Sequence, residues 1–484
     1  MEEKVKEILD YFGQINAIPR CSKNEAQIGL WLEQWAATRQ FSVRKDAAGN
    51  LLIKVPPTAG YENEPVIVIQ GHMDMVCEKS PDSRHDFSKD PIQHIIDGDW
   101  LRADNTTLGA DNGIAIALAL AIAGDDDVAH PPLELLFTVD EETGLNGAKK
   151  LEPGFIEGRV LLNVDSETEG VFTVGCAGGR HTHISRKLAL TKVAEDSQFF
   201  NLKISGLHGG HSGIDIIKQR ACANKILART LHRLSSACDI RLISIKGGTA
   251  HNAIARDAEA VFACDAAKSR GLAEMITEFE DIVRSEYKGI EPELAISLSP
   301  KDSTAAKKIA LGAAESRAAA HLLLCLPHGV MGMSTVFKNL VETSNNLATV
   351  EIKDGALQIL TSQRSLTASR LDEATAAVTA AALLAGADAE SRGEYPPWTP
   401  NMQSELLKRC QEIYERVFNQ QARVESIHAG LECAIIGDKY PGMDMISFGP
   451  DLRDPHSPSE GLFIPSLAKV WQFMVALLAS YGRW

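Results

Sequence analysis

The segment FTVDEETGLNGA, residues 137–148, sets three carboxylates side by side, Asp140, Glu141 and Glu142, directly behind the apolar run LELLF. Adjacent anions repel, and burying them raises their proton affinity unless a cation or hydrogen bonds compensate. Such a cluster needs either solvent, with Thr143 and Gly144 turning the chain outward, or a bound cation. Two other apolar runs end in a similar way. VIVIQ leads into Gly71, His72, Met73 and Asp74, and RVLLNV leads into Asp165. Asp111 stands in LGADNG just ahead of an Ala-rich run, and DPHSPSEG supplies His456 soon after MDMISFGP. Each residue has a structural alternative: a hydrogen-bonded core imidazole at His72, a helix cap at Asp111, turn residues at Asp165 and His456. Taken together they form a donor set for one or two divalent ions, and mixed imidazole and carboxylate ligands suit zinc, manganese or cobalt better than calcium.

The runs VIVIQ, LELLFTV and RVLLNV are short, continuous and apolar, the pattern of strands covered on both faces. GIAIALALAIAG, residues 113–124, is too long and Ala-rich for a strand and reads as a buried helix ending at glycine. This alternation predicts an α/β fold with a mostly parallel central sheet. Ligands of such sheets bind beyond the carboxyl ends of the strands, where neighbouring strands would gather His72, Asp111, Glu142 and Asp165. From about Lys187 the texture changes to half-exposed alternating strands, followed by a helix over DIIKQRACANKILARTLHRLSS. Strand, turn and helix recur in NLATVEIKDGALQILTSQRSL and LDEATAAVTAAALLAGA. Residues 187–393 therefore read as an inserted α+β domain between residues 1–186 and 394–484, with PPW as the returning linker.

Composition narrows the setting. The chain has 484 residues, 44% hydrophobic and 23% charged, as expected of an ordered globular protein. Its net charge of −15 argues against nucleic acid or anionic membranes as partners. No run of about 18 apolar residues predicts a membrane span. MEEKVKEILDYF reads as a charged amphipathic helix without a signal core, so a cytoplasmic location is expected. Nine cysteines without a CxxC pair predict free thiols, not a disulfide framework or a thiolate zinc site.

The ordered set HMD, GADNG, DEETG, NVDSE and PHSPSE resembles the motif series of the co-catalytic zinc aminopeptidase-like exopeptidases that carry an inserted lid. QGHMDMVCEK, DNTTLGADNGIA, NVDSETEG, GLHGGHSG, GGTAHNAIA and DPHSPSE resemble its aminoacyl-histidine dipeptidase branch over nearly the whole chain. The resemblance implies two divalent ions, zinc foremost with manganese or cobalt able to substitute. Asp111 would bridge them, His72 and Asp165 hold one, and Glu142 and His456 hold the other. It implies Asp74 as the carboxylate behind His72 and Glu141 as general base, leaving Asp140 structural. In the lid it implies His211 of GGHSG as oxyanion donor and Asn252 of TAHNAIA and Arg364 of SQRSL as substrate-binding residues. Arg364 suits bidentate capture of a terminal carboxylate. Gly430 in HAGLECA would let backbone approach substrate, while His208 and His428 receive no role. The implied activity is hydrolysis of Xaa-His dipeptides such as β-alanyl-histidine, by a homodimer whose lid closes. A tripeptidase or a deacylase of N-acyl amino acids would use the same motifs. A non-catalytic peptide-binding relative would have lost a ligand or the base, and none is missing.

Overall fold

The apolar runs that precede the polar clusters are strands, and they are neighbours. In the computed structural model, which describes residues 2–302 and 309–482, Ile67–His72 lies between Leu133–Thr138 and Val160–Asn163 and pairs with both in parallel. Asp444–Ser447 extends this parallel centre beyond Val160–Asn163. Leu51–Val55 and then Ser42–Lys45 add antiparallel strands on one side. Val171–Cys176, antiparallel to Asp444–Ser447, and then Arg423–Ile427 complete eight strands on the other. The sheet is thus mixed. It is parallel at its centre, where the sequence is apolar on both faces, and antiparallel toward its edges.

The Ala-rich run forms the helix Ala110–Ala123, in which every residue except Asp111 is buried, as an all-round apolar helix must be. It starts ahead of the Gly113 expected from sequence, and Asp111 and Asn112 depart from helical geometry at its first turn. The helix packs on Ile67–His72 and on Glu2–Asn16. A second, small sheet joins Leu452–Arg453 to Gly461–Phe463 and that strand to Trp100–Ala103, so His456 sits in a hairpin loop.

By internal contacts the chain divides into two units. The first runs to Gly175 and resumes over Trp398–Ser426 and from Leu431; the second comprises Cys176–Pro397 and Ile427–Gly430, beginning ahead of Lys187. The second unit is an α+β layer built on a nine-stranded sheet. Its longest hairpin, Val341–Lys353 with Ala356–Ser365, turns through Asp354 and Gly355, both in the left-handed region that a tight Asp-Gly hairpin turn requires. The helix expected over 215–236 is broken. A short 3-10 turn, Ile216–Lys218, ends at left-handed Gln219, and the α-helix proper is Ala223–Ala237. Asp215 explains the break, because its carboxylate accepts the His211 amide at 2.9 Å and pairs with Lys218 at 2.6 Å.

The cysteines also depart from expectation. Cys21 and Cys77 form a disulfide across 56 positions, and the other seven are not disulfide-bonded. Backbone pairing explains the contact: Cys21 bridges Met75, whose amide donates to the Arg20 carbonyl at 3.1 Å. No helix among the described residues is long and apolar enough to cross a membrane.

Candidate metal centre and substrate-anchoring residues

Two strand ends and one helix start are tied together by Asn112. Its side-chain oxygen accepts the His72 amide at 3.1 Å, and its Nδ2 donates to the Val164 carbonyl at 2.7 Å. Gly71 permits this approach, since a side chain there would strike the Asn112 carboxamide and reach within 2.8 Å of the Ala115 methyl. His72, Asp111 and Asp165 are thereby held at one end of the sheet. His72 Nε2 lies 3.0 Å from Asp111 Oδ1 and 3.5 Å from Asp165 Oδ1. The other Asp111 oxygen faces His456 Nε2 at 3.0 Å, and that nitrogen lies 3.1 Å from Glu142 Oε2.

Among the described residues four groups have ligand atoms mutually within 4.8 Å and could each hold a cation: three meet at these strand ends, His72 with Asp111 and Asp165, Asp111 with Glu142 and His456, and His72 with Glu141 and Glu142, and the fourth is Glu25 with Asp74 and Asp140. The donor set fits borderline divalent ions. A second sign of fit is Glu142 Oε1, buried without a hydrogen-bond partner, the kind of orphan acceptor that a cation would satisfy. Without a cation, protons have to offset the carboxylates. Hydrogen bonds to Asp111 and Glu142 raise His456 to about 11. Burial opposes protonation of His72, yet Asp165, Asp111 and Asp74 hold it well above the ordinary histidine value. Burial pushes Asp165 up to about 6. For Asp111, burial is outweighed by the two imidazoles, and its carboxyl stays strongly acidic.

The acidic triplet divides by hydrogen bonding. Asp140 adopts a left-handed backbone, which aspartate tolerates, and its carboxylate accepts from Thr143 Oγ1 at 2.6 Å and Asn146 Nδ2 at 2.9 Å. It is the turn residue. Glu142 faces His456, whereas the Glu141 carboxylate is pushed well above its usual range by burial first, with Asp165, Glu142 and Glu432 adding to the shift and His72 opposing it. Asp74 orders this whole corner. It lies beside His72 Nδ1 with its carbonyl at 3.1 Å and its carboxylate at 3.3 Å. Its two carboxylate oxygens also accept the amides of Glu141 at 3.0 Å and Glu142 at 3.2 Å, and Ser22 donates to it at 2.7 Å. Burial would raise its carboxyl, but these donors hold it down at about 2.

Sequence reasoning missed three residues. Glu460, 2% exposed, accepts four consecutive amides, Leu108 at 2.7 Å, Gly109 at 3.0 Å, Ala110 at 2.8 Å and Asp111 at 3.3 Å. Arg20, 1% exposed, donates to the Met73 and Asp74 carbonyls at 3.2 and 3.0 Å and also to Gly109. These two charges grip the Asp111 segment and the His72–Asp74 corner. Glu432, fully buried, accepts from Gln70 Nε2 and Thr138 Oγ1, both at 2.6 Å, beneath the same strand ends. Glu460 belongs to DPHSPSEG and Glu432 to HAGLECA, so the motifs marked the places without revealing the partners.

The second unit gathers its own candidates. His211 Nδ1 accepts the amides of Gly213 at 3.3 Å and Ile214 at 3.2 Å, which leaves the proton on Nε2. Gly210 and His211 pair with Ile254 and Ala253, and the Asn252 carbonyl accepts the Ser212 amide at 2.7 Å, so Asn252 lies beside His211. Arg364 is 7% exposed; its Nη1 bonds the Tyr395 hydroxyl at 2.9 Å, while its Nε has no hydrogen-bond partner. No carboxylate pairs with this guanidinium among the described residues, and a buried cation without a counterion invites an anionic ligand. His428 bonds Ser344 Oγ at 2.7 Å and is driven down to about 3 by burial and then by Arg364, so it stays neutral. Gly430 lies two residues further along in the same unit. His208, three residues before His211 in the GLHGGHSG motif, is taken up by Glu291 at 2.9 Å.

A sheet whose strand ends converge imidazoles and carboxylates is the framework of a metallopeptidase, and the chain belongs to peptidase family M20/M25/M40, which it matches over residues 68–480. Among curated relatives it is 41% identical over 469 residues to the cytosol non-specific dipeptidase of Escherichia coli K12, covering 97% of this chain and 96% of that protein. The crystal structure of aminoacylhistidine dipeptidase from Vibrio alginolyticus superimposes with a TM-score of 0.88 at 38% identity, over 98% of this chain and 96% of that one. Aminopeptidase PepT of Bacillus cereus shares the fold, with a TM-score of 0.57 at 16% identity over 99% and 98% of the two chains.

Proposed function

We propose that the protein is a cytoplasmic, metal-dependent dipeptidase that cleaves Xaa-His dipeptides such as β-alanyl-histidine. The observation that carries this reading is Asp111, whose two oxygens each face a different imidazole at 3.0 Å, with the Glu141 carboxylate alongside. Asp111 would be shared between two ions, with His72 and Asp165 holding one and Glu142 and His456 the other. Zinc is the favoured ion, with manganese or cobalt as substitutes; when bound, the ions supply the positive charge that acidifies a water and polarises the scissile carbonyl. Asp74 keeps the His72 ring in place. Glu141 takes a proton from the attacking water as its oxygen adds to the carbonyl carbon. It returns that proton to the departing amine as the C–N bond breaks.

His211 donates its Nε2–H to the carbonyl oxygen as negative charge develops there. Arg364 captures the terminal carboxylate, and Asn252 and Gly430 line the path of the substrate backbone. The buried, unpaired guanidinium supports a substrate with a free C-terminus. The name of the Escherichia coli relative supports the cytosolic setting, and the family resemblance favours a homodimer. The rival within the clan is hydrolysis of N-acyl amino acids, whose carboxylate Arg364 would also accept. Turnover of Xaa-His, other dipeptides, a tripeptide and N-acetyl amino acids by the metal-loaded enzyme separates the two. The dipeptides should be cleaved fastest; cleavage of N-acetyl amino acids with every dipeptide left intact would sink the proposal.

A further inference from the structure

The strand Gly178–Lys187 runs antiparallel to Ala356–Ser365, with Arg364 opposite Gly179 and Ser362 opposite His181. Alternate residues of a strand share a face, so His181 stands on the face that carries Arg364, one same-face position along. Tyr395 packs over Gly179, where a side chain would come within 2.6 Å of its ring, and its hydroxyl holds Arg364 Nη1 at 2.9 Å. His251 completes the group. Its ring meets His181 edge-on, with centroids 4.6 Å apart and planes at 68°. Its carbonyl is held by Asn346 Nδ2 at 3.2 Å, and Asn346 pairs with Ser362 on the same face. His181 is half-buried and His251 exposed, so both rings present surface to a ligand. Burial and then Arg364 lower the proton affinity of His251, which keeps that ring neutral.

We propose that His181 and His251 form the pocket for the side chain of the substrate's C-terminal residue and select planar rings there, the imidazole of histidine foremost. This rests on the dipeptidase reading, which places the terminal carboxylate on Arg364. With the carboxylate there, the side chain of the same residue is one bond from its α-carbon and within reach of the ring pair. Edge-to-face ring contacts add to burial in a way an alanine methyl does not, amounting to about a two- to tenfold preference.

The test compares kcat/KM for alanyl-histidine and alanyl-alanine in the metal-loaded wild type, His181→Ala, His251→Ala and His251→Phe. The histidine-to-alanine ratio is expected to fall about fivefold in each alanine variant and to recover in part with phenylalanine, which restores a ring. Calorimetric binding of free L-histidine and L-alanine to the same four proteins is the second measurement. An unchanged ratio with dipeptides still cleaved overturns the pocket and leaves the dipeptidase reading standing. Tighter binding of histidine than alanine, lost in the alanine variants although no dipeptide is cleaved, upholds the pocket and overturns that reading. Equal binding of the two amino acids with no dipeptide cleaved overturns both.

Discussion

Asp111 offers one carboxylate oxygen to His72 and the other to His456, and in the metal-free protein both imidazoles answer by holding protons. His456 is raised to about 11 by its hydrogen bonds to Asp111 and Glu142, and His72 lies well above its ordinary value against the pull of burial. A metal accepts only neutral imidazole, so ion uptake has to displace these protons. Uptake of zinc at neutral pH is therefore expected to release the protons of both rings, with the raised carboxyls of Glu141 and Asp165 adding to the release. Calorimetric titration in buffers of different ionisation enthalpy reads this directly; uptake with no proton release would contradict it. A histidine whose folded value is raised stabilises the metal-free fold fully below its unfolded value of about 6.5. That contribution fades as pH climbs through about 11 for His456.

At the scale of elements, the centre depends on the segment that leads into the helix Ala110–Ala123, where Asp111 and Asn112 depart from helical geometry. The 108–111 segment is held from one side by the Glu460 carboxylate and from the other by Arg20. Removing the acceptor leaves four amides to find new partners in a dry setting. Glu460→Ala is expected to cost about 2–4 kcal/mol in urea unfolding of the metal-free protein and to weaken zinc binding, with Glu460→Gln intermediate in both. Stability and zinc affinity both at wild-type levels would show that the segment holds itself. The strands that frame this segment were legible in the sequence, because VIVIQ, LELLFTV and RVLLNV carry the continuous apolar pattern of a buried parallel centre. The residues whose side chains converge were legible too, since His72, Glu142 and Asp165 follow such runs, Asp111 stands just ahead of the Ala-rich helix and His456 comes soon after MDMISFGP. What could not be read were contacts set by tertiary proximity. Glu460 meets amides about 350 positions earlier, Arg20 meets carbonyls more than 50 positions away, and Cys21 meets Cys77 through a backbone bridge. Local pattern misled where one side chain competed with a helix, as Asp215 does by binding the His211 amide ahead of Gln219.

For the molecule as a whole, the division into two units distributes the chemistry. The first unit holds the ligand cluster and Glu141, and the second holds His211, Asn252, Arg364 and the ring pair. A net charge of −15 accords with small peptide substrates drawn to local cationic groups, not with polyanionic partners. The proposed chemistry requires both a divalent ion and one carboxylate. The most direct test follows hydrolysis of β-alanyl-histidine by chelator-stripped protein before and after zinc, manganese or cobalt is restored, with Glu141→Ala beside it. Histidine release that returns with metal, and that falls by about a hundred- to ten-thousandfold in Glu141→Ala while metal binding is retained, is the expected result. Release by the metal-stripped protein, or full turnover by Glu141→Ala, would contradict the proposed chemistry.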